Sequence, residues 1–109
     1  MTSIHLETLT VSEYAVLLLI NAADCDFDIH DKEVEYIKAR YGDEQYIKMR
    51  KFYDQDKTGS FSKLIREMNV NENLAKEKMT MLKEVFEVLQ SDGIYNDFEK
   101  AFYKFFKDI

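Results

Sequence analysis

Apolar residues recur every three or four positions along most of the chain, and short polar breaks divide this pattern into segments. Such spacing is typical of helices that bury one face. It predicts helices over about 11–24, 31–41, 44–55, 62–69, 72–90 and 97–107. The first segment is apolar on nearly every side, which is typical of a helix at the centre of a bundle. We therefore expect a compact all-α bundle of six to seven helices.

The breaks contain residues that begin or end helices. Residues 10–13, Thr-Val-Ser-Glu, have the pattern of a capping box, and Asn71 is expected to cap the fifth helix. Gly42 is expected to end the second helix, Asp43 to cap the third, and residues 57–60 to form a turn. On the fifth helix, the expected buried stripe consists of Ala75, Met79, Leu82, Phe86 and Leu89.

The composition agrees with a single all-α domain over residues 1–109. The chain has no proline and three glycines, whereas sandwiches and barrels of β-strands need many tight turns made with these residues. Hydrophobic residues make up 46% and charged residues 33%, which is too apolar for disorder. The single cysteine, Cys25, excludes an intramolecular disulfide, and we expect it to be a small buried side chain.

Membrane insertion is not expected. The longest purely apolar run, residues 15–20, is much shorter than the roughly 18 residues that a membrane span needs. It also lacks the basic segment and the cleavage site of a signal peptide. These features predict a cytoplasmic protein.

The chain is acidic, with 21 Asp and Glu against 15 Lys and Arg and a net charge of −6. The surplus lies in residues 1–37, which hold eight acids and one base, whereas residues 38–66 hold four acids and eight bases. An acidic chain is a poor match for a phosphate backbone, so no nucleic-acid partner is expected. The acidic segment is either a solvated face or a surface for a cation or a basic partner.

The most informative feature is an internal repeat. A shift of 66 residues aligns units of about 11–41 and 77–107, and each unit reads as an apolar helix, an acidic turn and a second amphipathic helix. The acidic matches are Asp26 with Asp92, Asp31 with Asp97, and Glu33 with Glu99. We expect the two units to superpose.

The two acidic turns have two compatible interpretations. Carboxylates in the first turn of a helix interact favourably with the helix dipole and can accept hydrogen bonds at the cap. Asn96 with Glu99 has the pattern of a capping box. Several carboxylates that converge on a short turn also suit weak binding of calcium or magnesium, since both prefer oxygen ligands. The candidate ligands are Asp24, Asp26, Asp28, Asp31 and Glu33 in the first turn, and Asp92, Asp97 and Glu99 in the second. Asp26 and Glu33 are the leading candidates.

At these residues the chain resembles TerB-like domains, the small acidic proteins of tellurite resistance. The segments that carry the resemblance are Ala-Asp-Cys-Asp-Phe-Asp-Ile-His-Asp-Lys-Glu over residues 23–33, and Gln-Ser-Asp-Gly-Ile-Tyr-Asn-Asp-Phe-Glu over residues 90–99. They are similar to the duplicated acidic signature of that family, and the resemblance covers about residues 10–107. Phe27 departs from the signature, because the family has a glycine there.

The resemblance implies a helical bundle with pseudo-two-fold symmetry and no catalytic activity. It implies that the clustered acids bind metal weakly, and that the protein acts in tellurite or stress response through protein partners, including membrane-associated ones. The family signature falls on Asp26, Asp31 and Glu33 in the first unit, and on Asp92, Asp97 and Glu99 in the second.

Residues 54–65 also resemble the start of an EF-hand loop. Asp54, Asp56 and Thr58 occupy the first, third and fifth ligand positions, and Gly59 the position of the sharp turn. The twelfth position is Ile65, so the bidentate glutamate is missing. A degenerate calcium loop and a plain polar turn both remain open, and we favour the turn.

A metal-independent adaptor is the alternative to a metal-binding domain. The last helix contains Phe98, Phe102, Phe105 and Phe106, which cover more than one helical stripe. Some of these rings are therefore candidates for a docking patch or a homodimer interface, although the core can also take all of them. Neither histidine has a serine or cysteine partner in a catalytic pattern, so no enzyme is expected.

Overall fold

The computed structural model describes residues 9–25, 29–91 and 97–109. These residues form six α-helices and contain no strand, which confirms the all-α bundle. The helices are α1 (Val11–Ala23), α2 (Asp31–Tyr41), α3 (Asp43–Gln55), α4 (Lys57–Val70), α5 (Glu72–Leu89) and α6 (Asp97–Asp108). Among these helices, none combines the length and the apolar character that crossing a bilayer requires.

Helix α1 lies at the centre of the bundle, as predicted. All residues from Tyr14 to Ala23 are buried, and α1 contacts each of the other five described helices. The two buried polar side chains of α1, those of Tyr14 and Asn21, find hydrogen-bond partners inside the protein. The Tyr14 hydroxyl donates to the Leu64 carbonyl at 2.7 Å, and Asn21 Nδ2 donates to Ser60 Oγ at 3.0 Å. The central helix is therefore held to α4 by hydrogen bonds as well as by apolar packing.

Three of the predicted helix ends are confirmed. The Glu13 amide donates to Thr10 Oγ1 at 3.1 Å and the Thr10 amide donates to Glu13 Oε1 at 3.0 Å, which completes the capping box of α1. Asn71 caps α5 by accepting from the Asn73 amide. Gly42 ends α2 with a φ of 91°, a conformation that glycine adopts at little cost.

The prediction that Asp43 caps α3 is wrong. Asp43 is the first residue of α3, and Gly42 stands between the two helices as the last cap of α2 and the first of α3. One glycine therefore makes the whole connection, which leaves no separate capping position. Asp43 instead places its charge in the first turn, where the helix dipole favours it.

The predicted turn over residues 57–60 is also wrong, because these residues form the first turn of α4. The break between α3 and α4 is the single residue Asp56, whose carboxylate accepts from the Gly59 amide at 2.9 Å. This cap satisfies an amide that would otherwise have no partner at the helix start. Thr58, Gly59 and Ser60 have the composition of a turn, but the Asp56 cap makes them helical.

The same geometry removes the degenerate EF-hand loop. Asp54 lies within α3 and pairs with Arg50 one turn away, with Arg50 Nε 3.0 Å from Asp54 Oδ1. Asp56 caps α4, and Thr58 and Gly59 are helical. A twelve-residue loop around a calcium ion therefore does not exist at residues 54–65.

The predicted buried stripe of α5 is only partly right. Leu82 and Leu89 are buried, but Ala75 is exposed, Met79 is 75% exposed and Phe86 lies at the edge of the core. The observed buried apolar residues of α5 are Leu74, Met81, Leu82, Val85, Val88 and Leu89. The predicted and the observed stripes of α5 overlap, because both contain Leu82 and Leu89. Packing against α1 buries the observed stripe and leaves the rest of the predicted one at the surface.

Candidate functional site

A surface cavity of about 580 Å³ lies where the end of α1 meets α3, α4 and α6. Its apolar wall is made by one ring of α4 and by one face of α6: Phe61, Phe98, Ala101, Phe102 and Phe105. Its polar wall includes Asn21, Asp24, Cys25, Tyr53, Lys57 and Thr58. We call this feature the aromatic cavity. It adjoins the first of the two acidic turns that the sequence singled out.

The rings of α6 divide between the core and the aromatic cavity. Phe106 is fully buried and Phe102 nearly so, whereas Phe98 is 58% exposed. Phe105 is half-buried and stacks on Phe61, with ring centroids 4.7 Å apart. The core therefore takes Phe102 and Phe106 but not all four rings, and Phe98 and Phe105 leave apolar surface open at the cavity. A docking role for this surface stays a prediction.

Asp24 is the acidic group at the polar wall. It follows α1 as its C-terminal cap, and its side chain is 12% exposed. The Tyr53 hydroxyl donates to Asp24 Oδ2 at 2.5 Å, and Lys57 Nζ lies 3.5 Å from the same oxygen. In the described part of the chain, no residue donates a hydrogen bond to Oδ1. Burial and the bond to Asp24 both raise the pKa of Tyr53, so this phenol stays protonated as a donor.

The predicted ligands of the first turn do not converge in the residues that can be described. Asp31 is exposed at the first position of α2, whereas Glu33 is 1% exposed and accepts from the His30 amide at 2.8 Å. Glu33 thus takes the role of a cap, as the helix-start interpretation predicts. Asp26 and Asp28 lie outside the described residues. The cation site of this turn therefore stays a prediction.

The second turn repeats this arrangement at its helix start. Asp97 is exposed at the first position of α6, and Glu99 is 2% exposed at the third. Asp92 and Asn96 lie outside the described residues, so the predicted bond between Glu99 and the cap stays a prediction. Within residues 9–25, 29–91 and 97–109, no three carboxylate, imidazole or thiol groups come close enough to hold a metal ion.

Sequence reasoning missed Tyr53, Lys57 and Phe61 as parts of this site. Tyr53 lies on the buried face of α3, where its apolar spacing gives no sign of a polar role, and residues 57–60 were expected to form a turn. Nothing local connects Tyr53 with Asp24, because 29 positions separate them along the chain. Cys25 was expected to be buried, but it is half-buried and lines the aromatic cavity.

A second polar cluster, between α2 and α5, has a structural role. Arg40 Nε and the Tyr41 hydroxyl both donate to the buried carboxylate of Glu84, and the Tyr36 hydroxyl donates to Glu87. Burial and these acceptors raise the pKa of both tyrosines. The cluster satisfies a buried carboxylate and fixes α2 on α5.

Comparison of the chain with family models, with curated proteins and with solved structures found no match.

Proposed function

We propose that this chain is a non-enzymatic protein-interaction domain of the TerB-like type, which binds an amphipathic segment of a partner protein in the aromatic cavity. The observation that carries the proposal is the exposure of Phe98 beside the rings of Phe61 and Phe105. An open apolar surface with a polar edge is typical of a site for another protein.

The charge of the chain favours a basic partner. The net charge is −6. Residues 1–37, which contribute Asp24 to the polar wall of the cavity, hold eight acids and one base. Charge of this kind speeds the encounter with a partner of opposite sign and discourages acidic ones. The proposed occupant is therefore a segment with an apolar face and basic flanks.

The resemblance to TerB-like domains supplies the cellular part of the proposal. By that resemblance, the protein acts in the cytoplasm, in the response to tellurite or to another stress. Its partner in this proposal is a protein, including one attached to a membrane, and the domain itself neither enters the bilayer nor catalyses a reaction.

A charge introduced into the cavity tests the proposal. Ala101 is exposed on α6 and lines the aromatic cavity, whereas Ala39 is exposed on α2 and does not. Ala101→Lys and Ala39→Lys are matched, because both add one positive charge to an exposed helical alanine. Tagged wild type and both variants are purified from the native cell, and co-purifying proteins are quantified by mass spectrometry. Each candidate is then purified, and its affinity is measured by calorimetry.

We expect a partner that wild type and Ala39→Lys retain and that Ala101→Lys loses, with a Kd at least about tenfold higher for the purified pair. Partners that bind all three proteins equally would overturn the use of the aromatic cavity. Sedimentation of the wild type over a range of concentrations shows whether the occupant is a second copy. A wild-type dimer that Ala101→Lys dissociates would replace the basic partner by a homodimer.

A second candidate function is weak binding of calcium or magnesium at the turn over residues 24–33. The observation that favours it is Asp24 Oδ1, which receives no hydrogen bond from any described residue and lies at the start of the acidic turn. Calorimetry with millimolar calcium or magnesium tests it, and Asp26→Ala should reduce the heat. No heat with either ion would leave the metal-independent adaptor. Partner binding in the presence of a chelator then separates the two functions.

A further inference from the structure

We propose that the aromatic cavity selects an arginine side chain of the partner segment, whose guanidinium replaces Lys57 at Asp24 while neighbouring apolar groups of the segment cover the rings. The inference rests on the proposed function, because it names the chemistry that the same cavity recognises. Its basis is the geometry of Asp24, Tyr53 and Lys57 at the polar wall.

Lys57 shows that this wall holds a cation. Lys57 Nζ lies 3.5 Å from Asp24 Oδ2 and 5.4 Å from the centroid of the Tyr53 ring. A carboxylate and the face of an aromatic ring both attract a cationic group. The protein therefore fills a cation position at the wall of the aromatic cavity with its own side chain.

The Lys57 contact is weak enough to be displaced. Its distance of 3.5 Å is well beyond the roughly 2.8 Å of a strong charge-assisted hydrogen bond, and the Lys57 side chain is 59% exposed. Exposed pairs of this kind contribute little to stability, because water and salt screen them. Asp24 is much less exposed, and the Tyr53 hydroxyl holds its carboxylate in place.

A guanidinium fits this carboxylate better than an ammonium does. Tyr53 and Lys57 both contact Oδ2, whereas Oδ1 has no donor among the described residues. The planar fork of a guanidinium presents two parallel N–H groups, so it can reach both oxygens at once. It also loses its hydration more readily than an ammonium and stacks on aromatic rings, which line the opposite wall of the cavity.

Small probes that carry the proposed functional group test this selectivity directly. The probes are 4-phenylbutylguanidinium, the neutral 4-phenylbutylurea of the same shape, and 4-phenylbutylammonium. Each is titrated into the whole ¹⁵N-labelled protein, and amide shifts report both the affinity and the position of binding. We expect shifts at residues that line the aromatic cavity, and at least fivefold weaker binding of the urea and of the ammonium than of the guanidinium.

Variants separate the roles of the two charged side chains. Asp24→Asn should make the guanidinium and the urea bind equally. Lys57→Gln should tighten guanidinium binding at least twofold, because the internal competitor is gone. Lys48→Gln is the matched control, since Lys48 is equally exposed and pairs with Glu13 away from the cavity. It should leave the affinity unchanged, although it removes the same charge.

Each outcome decides the arginine inference, and one of them also decides the docking proposal. If all three probes bind the cavity with equal affinity, the arginine inference is wrong and the apolar docking site stands. If Lys57→Gln weakens guanidinium binding, the replacement of Lys57 is wrong even where Asp24→Asn cannot fold. If no probe shifts the cavity amides, the arginine inference and the use of this cavity for docking both fail.

Discussion

The α1–α2 unit and the α5–α6 unit begin their second helices in the same way and then differ. Asp31 and Asp97, related by the 66-residue shift, are both exposed at the first position of a helix. Two positions later, Glu33 and Glu99 are both buried. The two units therefore share a helix start built from an exposed aspartate and a buried glutamate. The superposition of residues 11–41 on residues 77–107 stays a prediction.

The faces of the second helices differ. At the positions where α6 has Phe98, Phe105 and Phe106, α2 has Lys32, Ala39 and Arg40. Helix α2 is fixed to α5 through polar groups such as Arg40, whereas α6 packs through rings and leaves some of them at the aromatic cavity. The difference shows that one type of helix start can support a structural contact in one unit and a candidate binding surface in the other.

Substitutions in α1 and α5, the first helices of the two units, test this comparison with the largest expected effect on stability. Ile20 and Phe86 are equivalent under the shift, but Ile20 is fully buried and Phe86 is 39% exposed. Ile20→Ala should lower the free energy of unfolding by about 2–5 kcal/mol, because it opens a cavity at the centre of the bundle. Phe86→Ala should cost less than about 1.5 kcal/mol. Urea denaturation measures both, and equal losses would show that Phe86 contributes as much to the core as Ile20 does.

The buried glutamates should have the next largest effect. Glu33→Ala should cost about 1–3 kcal/mol, since it leaves the His30 amide without the oxygen that it contacts at 2.8 Å. Glu99→Ala should cost about as much if the second helix start uses its glutamate in the same way. Glu35→Ala, on the exposed face of α2, is the control and should change stability by less than about 0.5 kcal/mol. If only Glu33→Ala lowers the free energy of unfolding, the two helix starts do not use their glutamates in the same way.

Two substitutions outside the described residues compare the turns themselves. Asn96→Ala should destabilise the protein by about 1 kcal/mol, because it removes the expected cap of α6. Asp26→Ala should change the stability of the metal-free protein little, or raise it slightly, since it reduces repulsion among neighbouring carboxylates. Thermal melts with and without excess calcium should show an altered calcium effect only for Asp26→Ala. Equal losses in both variants, with no change in the calcium effect, would make both turns structural.

The stabilisation that the start of α1 provides should depend slightly on pH, whereas that of the start of α5 should not. Hydrogen bonds from the Lys48 side chain and the Thr10 amide lower the pKa of Glu13 below its usual 4.5, whereas Asn71 at the start of α5 does not titrate. The stabilisation by Glu13 is therefore complete above about pH 4.5 and is lost as the pH falls through the lowered pKa. Glu13→Gln should cost less than about 1 kcal/mol at neutral pH, and the difference should vanish in acid. Urea midpoints at several pH values measure this, and a pH-independent difference would contradict it.

The sequence predicted the helices and the buried residues of α1 well, and the site poorly. The capping box at Thr10, the Asn71 cap and the end of α2 at Gly42 were correct, because each signal acts within about one helical turn. The start of α4 was wrong, because Asp56 and Gly59 fit both a turn and a helix start. The stripe on α5 was wrong in part, because the apolar pattern allowed two rotations of the helix.

By itself, the sequence determined that the described residues are mostly helical, that α1 is central and that aspartates stand at the starts of α2 and α6. These properties follow from composition and from spacings of three or four residues, which have nearly the same meaning in any fold. Only the tertiary structure decided that Asp24 contacts Tyr53 and Lys57, and that Phe98 and Phe105 line a cavity while Phe106 completes the core. Such contacts join residues far apart in the chain, and they depend on how helices with several possible apolar faces pack around α1.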